Sequence, residues 1–428
     1  MKDIFAELAW RGLLHQSTDD KHLVPWLMEK PRTVYIGFDP TADSLHVGHL
    51  LQVMTLRRFQ KAGHRPIALV GGATGMIGDP SGKSAERNLL SVDVLQGNVE
   101  AMKRQLAHFL DFGTGPTSAL MVNNFDWMGR FSYLEFLRDV GKHFPVNVML
   151  GKESVKNRLE RTDSGLSYTE FSYMLLQAYD FVHLYDTYGC EIQAGGSDQW
   201  GNITAGIDLA RRMRGAQLYG MTCPLLTKSD GTKMGKTESG ALWLDPAKTS
   251  PYQFYQYWIN LADADVGKCL RYLTDLEREE IEAIEVQHAA DPGKREAQKR
   301  MASELTRLVH GEEGLASAQR ATAVLFGAEI VNLNDAELGE IFADVPSSEL
   351  SRDRLASEGL PIADALVESG LAKSKGEARR TLTQGGAYVN NRRVDNPDLR
   401  LTPEALASET VLVLRSGKKS YALLKFKG

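Results

Sequence analysis

Cysteine is scarce in this chain. Only Cys190, Cys223 and Cys269 occur among 428 residues, scattered and odd in number. They make neither a metal-ligand spacing nor a disulfide framework, which matches a reducing compartment. No stretch approaches the ~18 consecutive apolar residues of a membrane-spanning helix. Charged residues at 25% and hydrophobic ones at 43% exclude a disordered or collagen-like chain. The N-terminal Met-Lys-Asp-Ile-Phe-Ala-Glu-Leu carries acids inside its apolar pattern and lacks signal-peptide architecture. The expectation is a cytoplasmic protein without a membrane partner, of roughly three domains at about 150 residues each.

Charge is unevenly spread. Residues 361–428 carry 12 Lys+Arg against 7 Asp+Glu, a balance of +5, so the first 360 residues carry −10 within the net −5. A basic tail on an acidic body points to a polyanion as the partner of the tail.

The first third of the chain alternates buried-strand and helix patterns. Arg32-Thr-Val-Tyr-Ile-Gly-Phe38 is a β-prone run, Leu45 to Gln60 has helical apolar spacing, Gly63-His-Arg-Pro66 is a breaker, and Ile67-Ala-Leu-Val70 is a continuous apolar run. Strand, helix and strand in that order predict a βαβ unit and a parallel sheet. Ser118 to Val122 and Cys190 to Ala194 read as further strands. Ligands of such sheets sit beyond the carboxyl ends of the strands, so the loops after Phe38, Val70 and Ala194 are where chemistry is expected. Residues 125–165 are helical and mixed in charge, an insertion. A helical pattern rich in Glu, Lys, Arg and Ala runs from Pro251 to about Asn334, and residues 346–358 read as a linker. In the tail, Ser374 and Glu377 form a capping box before a short helix, Gln384-Gly-Gly stops it, and Ala387-Tyr-Val-Asn and Val411-Leu-Val-Leu are strands.

Four segments carry candidate chemistry. In Tyr35-Ile-Gly-Phe-Asp-Pro-Thr-Ala-Asp-Ser-Leu-His46-Val-Gly-His49, Ser44 is placed to cap the following helix, with His46 and His49 on one face of its first turn. A helix N-terminus suits phosphate; a capped surface turn and a zinc-ligand pair remain open from the spacing alone. Lys233-Met-Gly-Lys236-Thr237 is a Gly-punctuated loop whose cations could close on a polyphosphate. Gly71-Gly-Ala-Thr-Gly-Met-Ile-Gly-Asp79-Pro-Ser-Gly-Lys83-Ser-Ala-Glu-Arg87 misses a P-loop by one residue, because position 77 is Ile. In Tyr168-Thr-Glu-Phe-Ser-Tyr173-Met-Leu-Leu-Gln177-Ala-Tyr-Asp180, a polar stripe at 173, 177 and 180 on an apolar helix must face water or line a pocket.

Together these blocks resemble class I aminoacyl-tRNA synthetases. His46-Val-Gly-His49 is similar to the HIGH signature of that class, and Lys233-Met-Gly-Lys-Thr237 to its KMSKS loop. With Gly195-Gly-Ser-Asp-Gln-Trp-Gly-Asn202 and Tyr173-Met-Leu-Leu-Gln-Ala-Tyr-Asp180, the pattern resembles the bacterial tyrosyl-tRNA synthetases over nearly the whole length. Gly235 and Thr237 depart from the consensus serines, and Ile36 offers no side-chain hydrogen bond. The resemblance implies an α/β fold: a Rossmann-like parallel-sheet catalytic domain over 1–250, a helical domain over 251–345 and a small α+β S-four-type RNA-binding domain over 359–428.

It further implies tyrosine activation by ATP, accompanied by Mg2+, and acyl transfer to tRNA(Tyr) by a homodimer assembled through 125–165. Thr41 and His46 are then expected at the γ-phosphate. Lys83, Arg87, Lys233, Lys236 and Thr237 belong at the leaving pyrophosphate. His49, Gly196 and Asp198 hold the adenosine end with Asp39 nearby. Tyr35 and Asp180 bind the phenol hydroxyl, Asp79, Tyr173 and Gln177 the ammonium group, and Gln199 lies by the carboxylate. Lys373, Lys375, Arg379, Arg380, Arg392 and Arg393 face tRNA, and no protein metal cage is expected. The competing readings are a tryptophanyl-tRNA synthetase, a non-catalytic RNA-binding protein on the same scaffold, and a nucleotide-binding hydrolase. The last has no P-loop and no evident nucleophile to support it.

Overall fold

The computed structural model describes residues 2–81, 90–160, 165–237, 240–343, 345–356, 358–417 and 420–427. Two compact units emerge, one formed by Met1–Thr249 with Ile259–Leu308 and the other by Ser250–Trp258 with Val309–Gly428.

The first unit is built on six strands: β1 (Gln16–Ser17), β2 (Thr33–Phe38), β3 (Arg65–Val70), β4 (Leu120–Asn123), β5 (Cys190–Gly196) and β6 (Tyr219–Cys223). They lie in the order β1-β6-β5-β2-β3-β4, all parallel except β1, which runs antiparallel to β6. Parallel strands buried on both faces favour unbroken apolar runs, and β3 and β6 are of this kind. Pro66, expected to break the chain, instead occupies the second position of β3 opposite Val34. Proline is tolerated near a strand start, where few ladder bonds depend on its missing N–H.

From β2 the chain winds one way to β3 and β4, and later the other way through β5 to β6. The reversal falls between β2 and β5, and this opens a crevice beyond the carboxyl ends of those two strands. Helices Val47–Lys61, Val92–Phe109, Tyr168–Tyr188 and Trp200–Arg214 accompany the sheet. The segment expected as an insertion holds short helices at Phe125–Met128, Tyr133–Asp139 and Val146–Leu150.

A separate two-stranded pair of the first unit is β7 (Lys236–Thr237) with β8 (Gly240–Ala241). The second unit centres on five strands, β9 (Ser347–Ser351), β11 (Ala387–Val389), β12 (Arg392–Arg393), β14 (Val411–Ser416) and β15 (Ser420–Lys427), beside the pair β10 (Leu360–Pro361) and β13 (Arg400–Leu401). The order is β12-β11-β14-β15-β9, with only β15 and β9 parallel. Side chains of β14 alternate between two cores. Leu412 and Leu414 pack with Leu366, Ala378 and Leu382, whereas Val411 and Val413 pack with Val324, Leu338 and Phe342.

That alternation explains a departure from the expected boundaries. A sheet apolar on both faces needs cover on both, so the first and last parts of the helical segment 251–345, up to Trp258 and from Val309, are claimed by the tail. The rest, from Ile259 to Leu308, packs with the first unit. Residues 346–358, expected as a linker, contain β9. Helix Lys375–Thr383 starts as expected at Ser374, whose hydroxyl accepts from the Glu377 N–H at 3.3 Å. Glu377, however, accepts from the Lys373 N–H rather than closing the box on Ser374.

Candidate functional site

A cleft of about 540 Å³ opens at the strand reversal. Its lining includes Tyr35, Asp39, Thr41, His46, His49, Asp79, Tyr173, Gln177, Asp180, Gly196, Asp198, Gln199, Lys233 and Lys236. Four segments separated by up to 200 residues in sequence thus meet in one place. Lys83 and Arg87 lie outside the described residues, and of Thr237 only the strand pairing with Gly240 is described. Behind Asp39 the backbone approaches closely: a Cβ on Gly71 would come within 2.2 Å of Asp39 Oδ1 and displace it.

The histidine pair is a helix start. His46 is the N-cap of Val47–Lys61, and its Nδ1 accepts from the Gly48 N–H at 3.0 Å. His49 Nδ1 in turn accepts from the His46 N–H at 3.2 Å, and the two rings stack with centroids 3.9 Å apart. With both Nδ1 atoms accepting, a neutral ring carries its proton on Nε2, a donor suited to an anion. Ser44, expected as the cap, instead donates to the Leu45 carbonyl and accepts from the Asp245 N–H. The backbone amides are also engaged: Val47 N–H donates to Leu242 O, and His49 N–H to His46 O. The first-turn amides of this helix are therefore already paired within the protein.

The lysine segment is a hairpin. Thr227 and Lys233 bridge in antiparallel fashion, Met234 N–H donates to Leu226 O, and Gly231 (φ 83°) turns the tip. It is tied to the histidine helix through Leu242, whose N–H donates to Gly235 O at 2.7 Å and whose carbonyl receives Val47 N–H at 3.0 Å. Gly235 has φ 81°, and a Cβ there would meet Val47 Cβ at 3.3 Å. Serine is therefore absent from position 235 for a backbone reason.

At the deep end, Asp180 is buried and accepts from Trp127 Nε1–H at 2.8 Å and from Asn124 Nδ2–H at 3.0 Å. Burial pushes its carboxyl up to about 7, against the pull of those two donors. Tyr35, also buried, has a hydroxyl with no hydrogen-bond partner among the described residues, and burial followed by the charge of Asp180 raises it well above the usual phenol value. Tyr35 and Asp180 are thus not bonded to one another. Asn124 Nδ2–H also reaches Thr74 Oγ1, whose hydroxyl donates to Asp39 Oδ1 at 2.7 Å, while Tyr173 OH donates to Asp39 Oδ2 at 2.8 Å. Gln199 Nε2–H donates to Asp79 Oδ2 at 2.7 Å and its Oε1 accepts from Gln177 at 3.3 Å. The stripe at 173, 177 and 180 lines a pocket.

Thr74, Asn124 and Trp127 were not expected at the site. The signal was present: Asn124 and Trp127 follow β4, another carboxyl strand end of the same sheet. In the second unit, Lys373, Lys375, Arg379, Arg380, Arg392 and Arg393 are all exposed. Lys375 pairs with Asp364 at 2.7 Å and Arg392 with Glu329 at 3.2 Å. Arg393 closes over Gly385, at the end of helix Lys375–Thr383, where a Cβ could not fit.

Residues 28–327 match the family of tRNA synthetases class I (W and Y), a stretch that includes β2 to β6, the histidine cap and the lysine hairpin. Residues 337–424 match the tyrosine–tRNA ligase SYY-like C-terminal domain. A tyrosine–tRNA ligase of Rhodopirellula baltica is 64% identical over 99% of this chain and 96% of its own length. That of Geobacillus stearothermophilus is 52% identical over 99% of this chain and all of its own. A C-terminally truncated mitochondrial tyrosyl-tRNA synthetase of Aspergillus nidulans superposes with a TM-score of 0.69 at 33% identity, covering 76% of this chain and 95% of that one. The chain belongs to the tyrosyl-tRNA synthetase family of class I.

Proposed function

We infer that this enzyme is a tyrosine–tRNA ligase, which activates L-tyrosine with ATP and transfers the tyrosyl group to the 3′ end of tRNA(Tyr). One observation carries the assignment of its site: a single cleft joins the His46 helix start and the Lys233 hairpin to the unbonded Tyr35 hydroxyl and the Asp180 carboxylate.

In the first step the tyrosine carboxylate attacks the α-phosphorus of ATP. The new O–P bond gives tyrosyl-adenylate, and the bond to pyrophosphate breaks. The attacking group is already ionised, so no general base is needed, and positioning with charge stabilisation does the work. Thr41 and His46 meet the γ-phosphate, while Lys83, Arg87, Lys233, Lys236 and Thr237 hold the departing pyrophosphate. His49, Gly196, Asp198 and Asp39 hold the adenosine end. Tyr35 and Asp180 read the phenol hydroxyl. The ammonium group sits among Asp79, Tyr173 and Gln177, beside Gln199 at the carboxylate. Magnesium comes as part of the ATP substrate. In the second step the ribose hydroxyl of the terminal adenosine takes the acyl group and AMP leaves.

The exposed cations of the tail are the tRNA-facing surface. Tyr133, Leu134, Val146 and Val148 are exposed apolar side chains within 125–165 and support assembly of a homodimer there; a monomeric mass in sedimentation would overturn it. No helix among the described residues is long and apolar enough to cross a membrane, and the reading is of a cytoplasmic translation enzyme. ATP–pyrophosphate exchange run separately with tyrosine, tryptophan and phenylalanine tests the function. Exchange with tyrosine alone is expected, and exchange with none of the three would reduce the chain to a binding scaffold.

A further inference from the structure

The helix Asp263–Leu273 presents Asp265, Lys268 and Cys269 on one face, at i, i+3 and i+4. Each touches a different part of the lysine hairpin. Asp265, buried at 2% exposure, accepts from the Ser229 N–H at 2.7 Å at the hairpin tip, with the Ser229 hydroxyl at 3.4 Å. Lys268 Nζ donates to the Thr227 carbonyl on the first arm and stands 3.8 Å from Asp265. Cys269 donates its thiol to Met234 Sδ at 3.3 Å on the second arm, between Lys233 and Gly235. The same helix is anchored to the histidine helix at its other end, where Arg58 Nη2–H donates to Thr274 O at 2.9 Å.

We propose that Asp265 is a positioning residue for adenylate formation, holding the hairpin tip so that Lys233 and Lys236 meet the pyrophosphate in register. The inference rests on the roles assigned to those lysines above. A backbone N–H held by a buried carboxylate is a charge-assisted bond in a poorly solvated place, stronger than an exposed loop contact. Because the Thr227–Lys233 bridge couples the two arms, a tip released on one side misplaces the cation on the other. Tyrosine binding is set at the Tyr35–Asp180 end and does not depend on this grip.

The experiment measures tyrosine-dependent exchange, equilibrium tyrosine binding and thermal stability for the unaltered chain, Asp265→Ala, Asp265→Asn and Lys268→Met. Asp265→Ala is expected to lower kcat about 100-fold, the scale of a misplacement near 1 Å, with tyrosine affinity unchanged. Asp265→Asn keeps an acceptor for Ser229 N–H and restores most of the rate. Lys268→Met gives a smaller loss of the same kind, and remains informative if Asp265→Ala fails to fold. Parallel losses of kcat, tyrosine affinity and thermal stability, or an Asp265→Asn rate as low as that of Asp265→Ala, would overturn the proposal. Absence of exchange in the unaltered chain would instead overturn the functional reading itself, and the proposal with it.

Discussion

Trp127 donates its indole N–H to Asp180 Oδ1 across 2.8 Å, while Asn124 occupies the other oxygen. The acid at the base of the cleft is thereby held in one orientation by two donors, facing a cavity it shares with the partnerless Tyr35 hydroxyl. A ligand bearing a phenol hydroxyl supplies what Tyr35 lacks.

Selection against phenylalanine should accordingly weaken in Tyr35→Phe. The hydroxyl makes no hydrogen bond among the described residues, so the folded state loses little by its removal. The loss of one ligand bond, about 1 kcal/mol, lowers the tyrosine-to-phenylalanine preference about fivefold. Exchange rates with each amino acid measure it, and an unchanged ratio refutes the assignment.

Asp180 also predicts a pH dependence. Its carboxyl lies at about 7 in the folded chain, above the ordinary value near 4, because burial disfavours the charge. Between those values the folded state binds more proton than the unfolded one, so stability falls as pH rises from about 4 to about 7 and levels beyond. Chemical denaturation across that range should show the unaltered chain losing stability relative to Asp180→Asn with rising pH. A difference constant with pH would contradict the origin given for the shift.

His46 has two separable duties. His46→Ala should cost about 1 kcal/mol of stability through the lost cap, and lower the exchange rate as well. His46→Asn keeps a capping acceptor and should recover the stability but not the rate. Recovery of both would mean that the ring contributes only as a cap.

Gly235→Ser, which restores the class consensus residue, should reduce activity. A side chain at φ 81° carries a strain of about 1–2 kcal/mol, and its Cβ would press on Val47 at the helix start. Unfolding and exchange assays on this variant check both effects.

For the tail, removal of everything after residue 355 is a blunt test, since it strips Val411, Val413 and Leu423 from Leu338 and Phe342. Arg379→Glu with Arg380→Glu alters only exposed charge. It should leave tyrosine-dependent exchange intact, raise KM for tRNA, and flatten the salt dependence of tRNA binding by about one in slope for each arginine–phosphate pairing removed. Unaltered charging at physiological salt would place tRNA elsewhere.

Much of the catalytic unit could be read from local pattern. Short β-prone segments, one of them the continuous apolar run of β3, mark β2, β3, β4 and β5 to within two residues or so, and the strand-end rule points to the loops after Phe38, Val70 and Ala194. The same rule extends to β4, whose carboxyl end carries Asn124 and Trp127. Ser44 was a reasonable cap by residue type, but its hydroxyl is committed to Asp245, two hundred residues away, and no local preference reveals that. The partition of the helical segment also escaped, because a helix does not announce which sheet its apolar face will cover.

Residue order and spacing were enough to define the parallel sheet, the paired imidazoles, the lysine-bearing loop and the polar stripe on its helix, since each depends on neighbours within a turn or a strand. Folding alone brought position 46, position 180 and position 233 around one cavity, left Tyr35 without a partner, and committed the helix-start amides to Leu242 and the rings themselves. Periodicity along a chain records which side of an element is buried; which group meets it there is settled by packing between elements far apart in sequence.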